Sequence, residues 1–218
     1  KNNNPVIFDI GANIGEYSEL FVKKLNNNKY TLHIFEPQKN CFIDLLKKFK
    51  DNKNVFLNNF GISDDDRTAT IYKNEDKSGL TSLYKRNIDF YKMKMNVQEE
   101  IDLKRADTYI RSKNIEHINL LKIDVEGHEI AALYGFGDYL NGDFIDYIQF
   151  EYGGANLDSH TNLLDFYNLL EVNGFKIAKI MPKHLEVRDY NPRFDNFVYA
   201  NFVAISERIY EQTKGGKH

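Results

Sequence analysis

The sequence predicts a doubly wound α/β domain, and three observations predict it. Short apolar runs alternate with stretches whose apolar residues recur at helical spacing, the layout of a parallel sheet covered on both faces. A glycine-rich turn follows the first of these runs, and an acid closes the second. Together they have the order of a nucleotide-type site at the carboxyl ends of parallel strands. A chain of 218 residues is expected to form one domain, 1–218, with an irregular insertion at about 73–96.

In order, Val6 to Ile10 reads as a buried strand, and Tyr17, Leu20, Phe21 and Leu25 line one face of a helix. Leu32 to Phe35 is a second strand, stopped at Glu36-Pro37 because the residue before a proline leaves regular structure. Phe42, Leu45, Leu46 and Phe49 recur at helical spacing, with Lys47, Lys48 and Lys50 in the last turn where the helix dipole favours cations. Val55 to Leu57 is a third strand, and Thr68 to Tyr72 alternates like a strand of an added hairpin. Asp107 is placed as the N-cap of a short helix reaching Arg111. Leu120 to Asp124 and Tyr147 to Glu151 are further strands. The first leads through Gly127 into a helix from about His128 to Tyr134, and the second ends at Gly153-Gly154. Leu163, Leu164, Tyr167 and Leu170 line another helix, and Lys176 to Met181 and Phe197 to Ile205 are the closing strands.

The formal net charge of −3 argues against nucleic acid or an anionic membrane as the main partner, and no clear nucleic-acid surface is expected. The single cysteine, Cys41, cannot form an internal disulfide, which fits a reducing, cytoplasmic setting. No apolar run approaches the roughly 20 residues of a bilayer span. Because the sequence opens on Lys1 instead of Met, an upstream part is expected to be missing or trimmed.

The chemistry starts at Asp9-x-Gly11-x-Asn13-x-Gly15. Glycines there let backbone approach a ligand and adopt angles barred to other residues, and the helix start behind them favours negative charge. The Gly-x-x-x-Gly spacing is not the Gly-x-Gly-x-x-Gly of dinucleotide sites, and no Gly-Lys-Ser/Thr of a P-loop follows. Asp9 would repel a pyrophosphate but can meet an amino acid's ammonium. About 20 residues beyond the glycines stands Glu36, where an acid bonds ribose hydroxyls. The pair points to a ligand that is part nucleoside and part amino acid.

At this point the sequence resembles a known family. Asp9 to Gly15, Phe35-Glu-Pro37, Gly61-Ile-Ser-Asp64 and Leu121-Lys-Ile-Asp-Val-Glu-Gly-His-Glu129 are similar to the successive motifs of FkbM-type methyltransferases, over roughly Val6 to Glu151. The resemblance implies a class I methyltransferase (Rossmann-like) fold, with a mostly parallel seven-stranded sheet whose last strand is antiparallel. It implies S-adenosylmethionine as cofactor and a hydroxyl of a sugar, glycan or small molecule as acceptor. Carried across, Asp9, Gly11, Ala12, Asn13 and Gly15 surround the methionine part, Glu36 and Pro37 the ribose, and Ile62 and Ser63 the adenine. Asp124 then lies near the methionine and the acceptor.

Transfer to a hydroxyl needs in-line positioning and a route for the proton. The candidate bases are His128, Glu126, Glu129 and Glu151. His128 has the most suitable ordinary pKa, and Glu151 ends an apolar strand where burial without a partner is costly. Glu129 is placed first as a helix cap. Asp124, Glu126 and His128 alternate and would share a face of a continued strand, but Gly127 is expected to bend the chain, and no metal is expected. Two other readings stay open. An RNA ribose methyltransferase would draw on Lys85, Arg86, Phe90 and Tyr91, and a non-catalytic domain would only bind the cofactor.

Overall fold

The computed structural model describes residues 4–25, 29–74, 81–86 and 94–215. In chain order its elements are β1 (Val6–Ile10), α1 (Glu16–Lys24), β2 (Thr31–Phe35), α2 (Lys39–Phe49), β3 (Val55–Asn58), β4 (Gly61–Ile62), β5 (Arg67–Lys73) and β6 (Val97–Lys104). There follow α3 (Ala106–Lys113), β7 (Ile118–Ile123), α4 (Glu129–Tyr134), β8 (Ile145–Tyr152), α5 (Gly154–Asp158) and α6 (Leu163–Glu171). The last are β9 (Phe175–Ile180), β10 (Leu185–Val187), β11 (Ala200–Ser206) and α7 (Glu207–Gly215).

The main sheet has the order β10-β9-β11-β8-β7-β1-β2-β3. From β3 to β8 all pairings are parallel, while β11 runs antiparallel between β8 and β9. The expected antiparallel last strand is therefore β11. The strand count is eight where seven were expected, because three-residue β10 folds back on β9. Leu185 and Val187 of β10 remain exposed, so it left no buried, alternating signature in the sequence.

Strands β1 and β2 are buried at every position but the first, as strands covered by helices on both faces must be. Beneath one face, Phe8, Phe35, Tyr109 and Phe136 pack with centroids 5.0–6.4 Å apart, each large ring contributing about 1.5–3 kcal/mol by leaving water. Phe150 lies stacked between Phe166 and Phe202. From β1 the chain moves outward to β2 and β3, then returns to the other flank of β1 with β7. That reversal opens a crevice above the carboxyl ends of β1, β2 and β7.

A second sheet, β4-β6-β5, rises beside this crevice. Strand β5 is the alternating segment expected as half of a hairpin. Its partner β6 comes more than twenty residues later, so the pair is not a tight hairpin. Ile71, Ile101 and Leu103 form the sheet's buried face. A buried Lys73–Glu99 ion pair at 2.8 Å ties β5 to β6. Asp107 is not the cap of α3: Arg105 holds that position, and Asp107 in the first turn takes the Arg105 guanidinium at 3.0 Å. Within the expected insertion, Ser82 pairs through its backbone with Tyr72, while Phe90 and Tyr91 lie outside the described residues. Among the described residues no helix is long and apolar enough to cross a membrane.

Candidate active site

The turn after β1 is built by packing. Gly11 has φ +77°, and a Cβ there would stand 1.9 Å from the Asp124 carbonyl oxygen. Gly15 has φ +78° and caps α1; a Cβ there would meet Leu45 of α2 at 2.5 Å. Both glycines are thus required by neighbouring chain, where the sequence suggested a ligand's approach. Gly11 and Asn13 line the crevice; Ala12 and Gly15 do not.

Asp9 is fully buried and does not line the crevice. Its carboxylate takes the Ser18 hydroxyl at 2.6 Å and the Lys122 ammonium at 3.1 Å. Lys122 comes from the neighbouring register position on β7 and also reaches Asp124 at 3.5 Å. Burial alone would lower the Lys122 pKa, but the two carboxylates outweigh it and hold the ammonium above its ordinary value. Sequence reasoning missed Lys122. The signal was there: a lysine inside the apolar run Leu120 to Ile123 is costly to bury without an acid opposite.

Glu36 is 3% exposed and lines the crevice. One carboxylate oxygen accepts the Asn13 N–H at 2.7 Å and the other the Gln38 N–H at 2.8 Å. Burial nevertheless pushes its pKa up to about 7 against those two bonds. A carboxylate has roughly four lone-pair positions, so capacity remains for hydroxyl donors from the cavity side. The cavity measures about 390 Å³. Pro37, Ile62, Ile71, Ile101 and Leu103 make one end apolar. Ser63 is turned out of it, bonded to Asp64 at 2.8 Å and to His128 at 3.0 Å.

Carboxyl groups make the opposite end. Strand β7 stops at Ile123, and Glu126 (φ +52°) with Gly127 (φ +100°) turns the chain, so Asp124, Glu126 and His128 no longer share a face. Among the described residues no group of three His, Cys, Asp or Glu side chains could hold a metal ion. Glu126 pairs with Arg86 at 2.6 Å, yet burial still raises its pKa to about 7. Glu129 is 2% exposed; one of its oxygens accepts the Val125 and Gly127 N–H groups at 3.0 and 3.2 Å, which shapes the loop. Burial carries Glu129 to about 7 as well. Glu151, at the end of β8, sits well above the carboxylate range, first through burial and then through Asp124 directly beside it. His128 is buried, with Nε2 on Ser63 and Nδ1 on the Tyr84 hydroxyl at 3.2 Å. Burial, and then the nearby Arg67, hold it near 4, so it is neutral through the physiological range.

The structure therefore gathers Gly11, Asn13, Glu36, Pro37, Ile62, Asp124, His128 and Glu151 around one cavity, and leaves Asp9, Ala12, Gly15 and Ser63 behind its wall.

Comparison with known proteins places this arrangement. Residues 9–196 match the methyltransferase FkbM domain. A Beauveria bassiana protein named Methyltransferase 1 is 27% identical over 192 residues, covering 81% of this chain and 74% of its own. A methyltransferase FkbM from Methylobacillus flagellatus superposes with a TM-score of 0.58 at 16% identity, over 93% of this chain. The chain spans 44% of that protein's length. A Streptococcus mutans putative methyltransferase solved with SAH gives 0.50 at 11% identity, covering 94% of this chain and 89% of its own. These likenesses are of fold: the architecture is that of the class I methyltransferases.

Proposed function

The chain belongs to the FkbM methyltransferase domain family, and on that premise we propose that it transfers a methyl group from S-adenosylmethionine to a hydroxyl of a sugar, glycan or small molecule. The observation that carries this reading is one cavity whose wall combines an apolar group (Pro37, Ile62, Leu103), the acids Asp124, Glu126 and Glu151, and Glu36. Each requirement of the cofactor has a counterpart there. Pro37, Ile62 and Leu103 offer an apolar slot for adenine. Glu36, fixed by two backbone donors, accepts from ribose hydroxyls. Asp124, 39% exposed at the side chain, faces the cationic methionine end. Asp9 acts at one remove, holding Lys122 and through it the Gly11 carbonyl and Asp124.

When bound, the cofactor supplies an electrophilic methyl carbon: as an acceptor oxygen lone pair forms the new C–O bond, the C–S bonding pair leaves to sulfur. The chain's residues then have to orient the hydroxyl and take its proton. Glu151 and Asp124 are adjacent carboxyls, and burial together with Asp124 raises the Glu151 pKa. We assign the pair as the proton acceptor. His128, neutral and engaged at both ring nitrogens, is assigned to positioning the Ser63 and Tyr84 segments. The RNA reading has less support, since Arg86 is engaged by Glu126 and Asp158.

Calorimetry with S-adenosylmethionine and NAD tests the cofactor assignment; binding of NAD alone would overturn it. A screen of sugars, glycolipids and RNA with labelled methyl donor tests the acceptor. Incorporation into RNA alone would replace the hydroxyl small-molecule reading.

A further inference from the structure

A second chamber, of about 180 Å³, opens beside the main cavity between the Glu126–Glu129 loop and the start of α5. Glu126, Glu151 and Tyr199 line both spaces, so whatever fills the chamber adjoins the reacting end of the site. Glu129 lines the chamber alone of the two. A Cβ on Gly127 would stand 2.8 Å from the Ala155 carbonyl, so the loop and α5 are in close contact and enclose this space.

Acidic side chains gathered on a wall mean little by themselves. Here a second observation points to a ligand: the remaining carboxyl oxygen of Glu129, Oε2, is buried and has no hydrogen-bond partner among the described residues. Its sister oxygen is fully used by the Val125 and Gly127 amides. Leaving such an atom unmatched is costly, and more so when the group is charged. The local charge is equally unbalanced. Arg86, which also lines the chamber, is taken up by Glu126 at 2.6 Å and Asp158 at 3.3 Å, and Lys122 is shared by Asp9 and Asp124. Neither Glu129 nor Glu151 pairs with a cation among the described residues. An occupant that matches this wall must donate hydrogen bonds and carry positive charge. A hydroxyl meets the first need alone; an ammonium meets both. Tyr199, 64% exposed at the rim, offers a flat apolar face to a ring lying across the mouth.

Resting on the methyl-transfer reading above, we propose that the side chamber receives an ammonium group of the acceptor, so that the preferred substrate is a hydroxyl compound that also carries a primary amine, of the amino-sugar class. The ammonium meets Glu129 and Glu151 and keeps its proton, while a hydroxyl of the same molecule is methylated.

The test uses three hexoses matched in size and differing in charge: glucosamine, glucose and glucuronate, with labelled methyl donor. Glucosamine is expected to exceed glucose in kcat/KM by about tenfold or more, the scale of one charge-assisted hydrogen bond. Glucuronate is expected to be poorest, and the methyl to be found on oxygen. Glu129→Gln retains an oxygen for the two loop amides but not the charge, and should bring glucosamine and glucose to within about threefold. Equal or better use of glucose or glucuronate overturns the proposal, as does a methyl found on nitrogen or a preference unmoved in Glu129→Gln. If calorimetry shows cofactor binding and none of the three sugars is methylated, the amino-sugar assignment falls and the methyltransferase reading stands. Absence of cofactor binding would strike that reading itself.

Discussion

The two ends of the cavity handle buried charge in opposite ways. At the cofactor end, Glu36 has a backbone N–H on each oxygen, both supplied by turns whose geometry the surrounding helices fix. At the acceptor end, Asp124, Glu126, Glu129 and Glu151 crowd one another, with Arg86 and Lys122 as cations beside them and one carboxyl oxygen unmatched among the described residues. Backbone donors are rigid and always present, so the first end is organised before any ligand arrives. The second end is held away from balance until a ligand and a proton settle it. A site that binds one constant cofactor suits the first arrangement. A site that must accept a proton during each turnover suits the second, because strongly raised carboxyl pKa values follow from crowding and burial together.

The contrast breaks most sharply at Glu151. Glu151→Gln keeps size and one acceptor oxygen but breaks the carboxyl pair assigned as the proton acceptor. Turnover is expected to fall about 10²–10⁴-fold, the usual worth of a positioned base, with cofactor affinity changed only slightly. Equal losses in both would mean that Glu151 holds the cofactor instead. At the other end, Glu36→Ala strands the Asn13 and Gln38 amides in a buried turn. Cofactor affinity measured by calorimetry should drop roughly 100-fold, taking about 1.5 kcal/mol for each of two ribose hydroxyl bonds to the carboxylate. Unchanged affinity would remove Glu36 from the ribose.

His128 sharpens the comparison with a smaller effect. As it is neutral well above pH 5, His128→Asn should slow turnover by less than about tenfold, the loss of positioning without the loss of a base. The rate profile between pH 5 and 8 should keep its shape. Loss of a limb from that profile would return His128 to the role of base and set Glu151 aside.

Strands such as Val6–Ile10 and helices such as Lys39–Phe49 were legible in the sequence because burial on fixed faces writes a period into the residue types. The cavity's Gly11, Asn13 and Glu36 were legible through their spacing, and Asp124 through the family resemblance. The floor of the cavity was not. Strand β6, with Glu99, Glu100 and Asp102 among its residues, buries only Ile101 and Leu103, too few apolar positions to stand out in a polar stretch. Lys122 and Glu129 were undervalued for a related reason. Their weight comes from what surrounds them in space, and a charged residue in sequence looks solvated until its burial is known. The same gap separates the glycines' presence, which was visible, from their cause, which is the packing of Asp124 and Leu45 against the turn.

Glu129 allows the unbalanced end to be weighed in the ligand-free protein. Its pKa is about 7 folded, against an ordinary value of 4.5, so between those values the folded chain keeps a proton that the unfolded chain has released. The stability this contributes is full below about 4.5 and is lost as pH rises through about 7. His128 has the opposite sign: with about 4 folded against 6.5, its contribution is full above the higher value and lost as pH falls through the lower. Comparing wild type with Glu129→Gln cancels the histidine, because only Glu129 differs. While one whole proton separates the folded and unfolded chains, stability changes by about 1.4 kcal/mol per pH unit. Wild-type Tm should therefore fall more steeply than the variant's between pH 5 and 7, by about 4–8 °C in all for a chain of this size. Parallel curves would mean that Glu129 is already ionised in the folded protein, and that the acceptor end is balanced by something other than a bound proton.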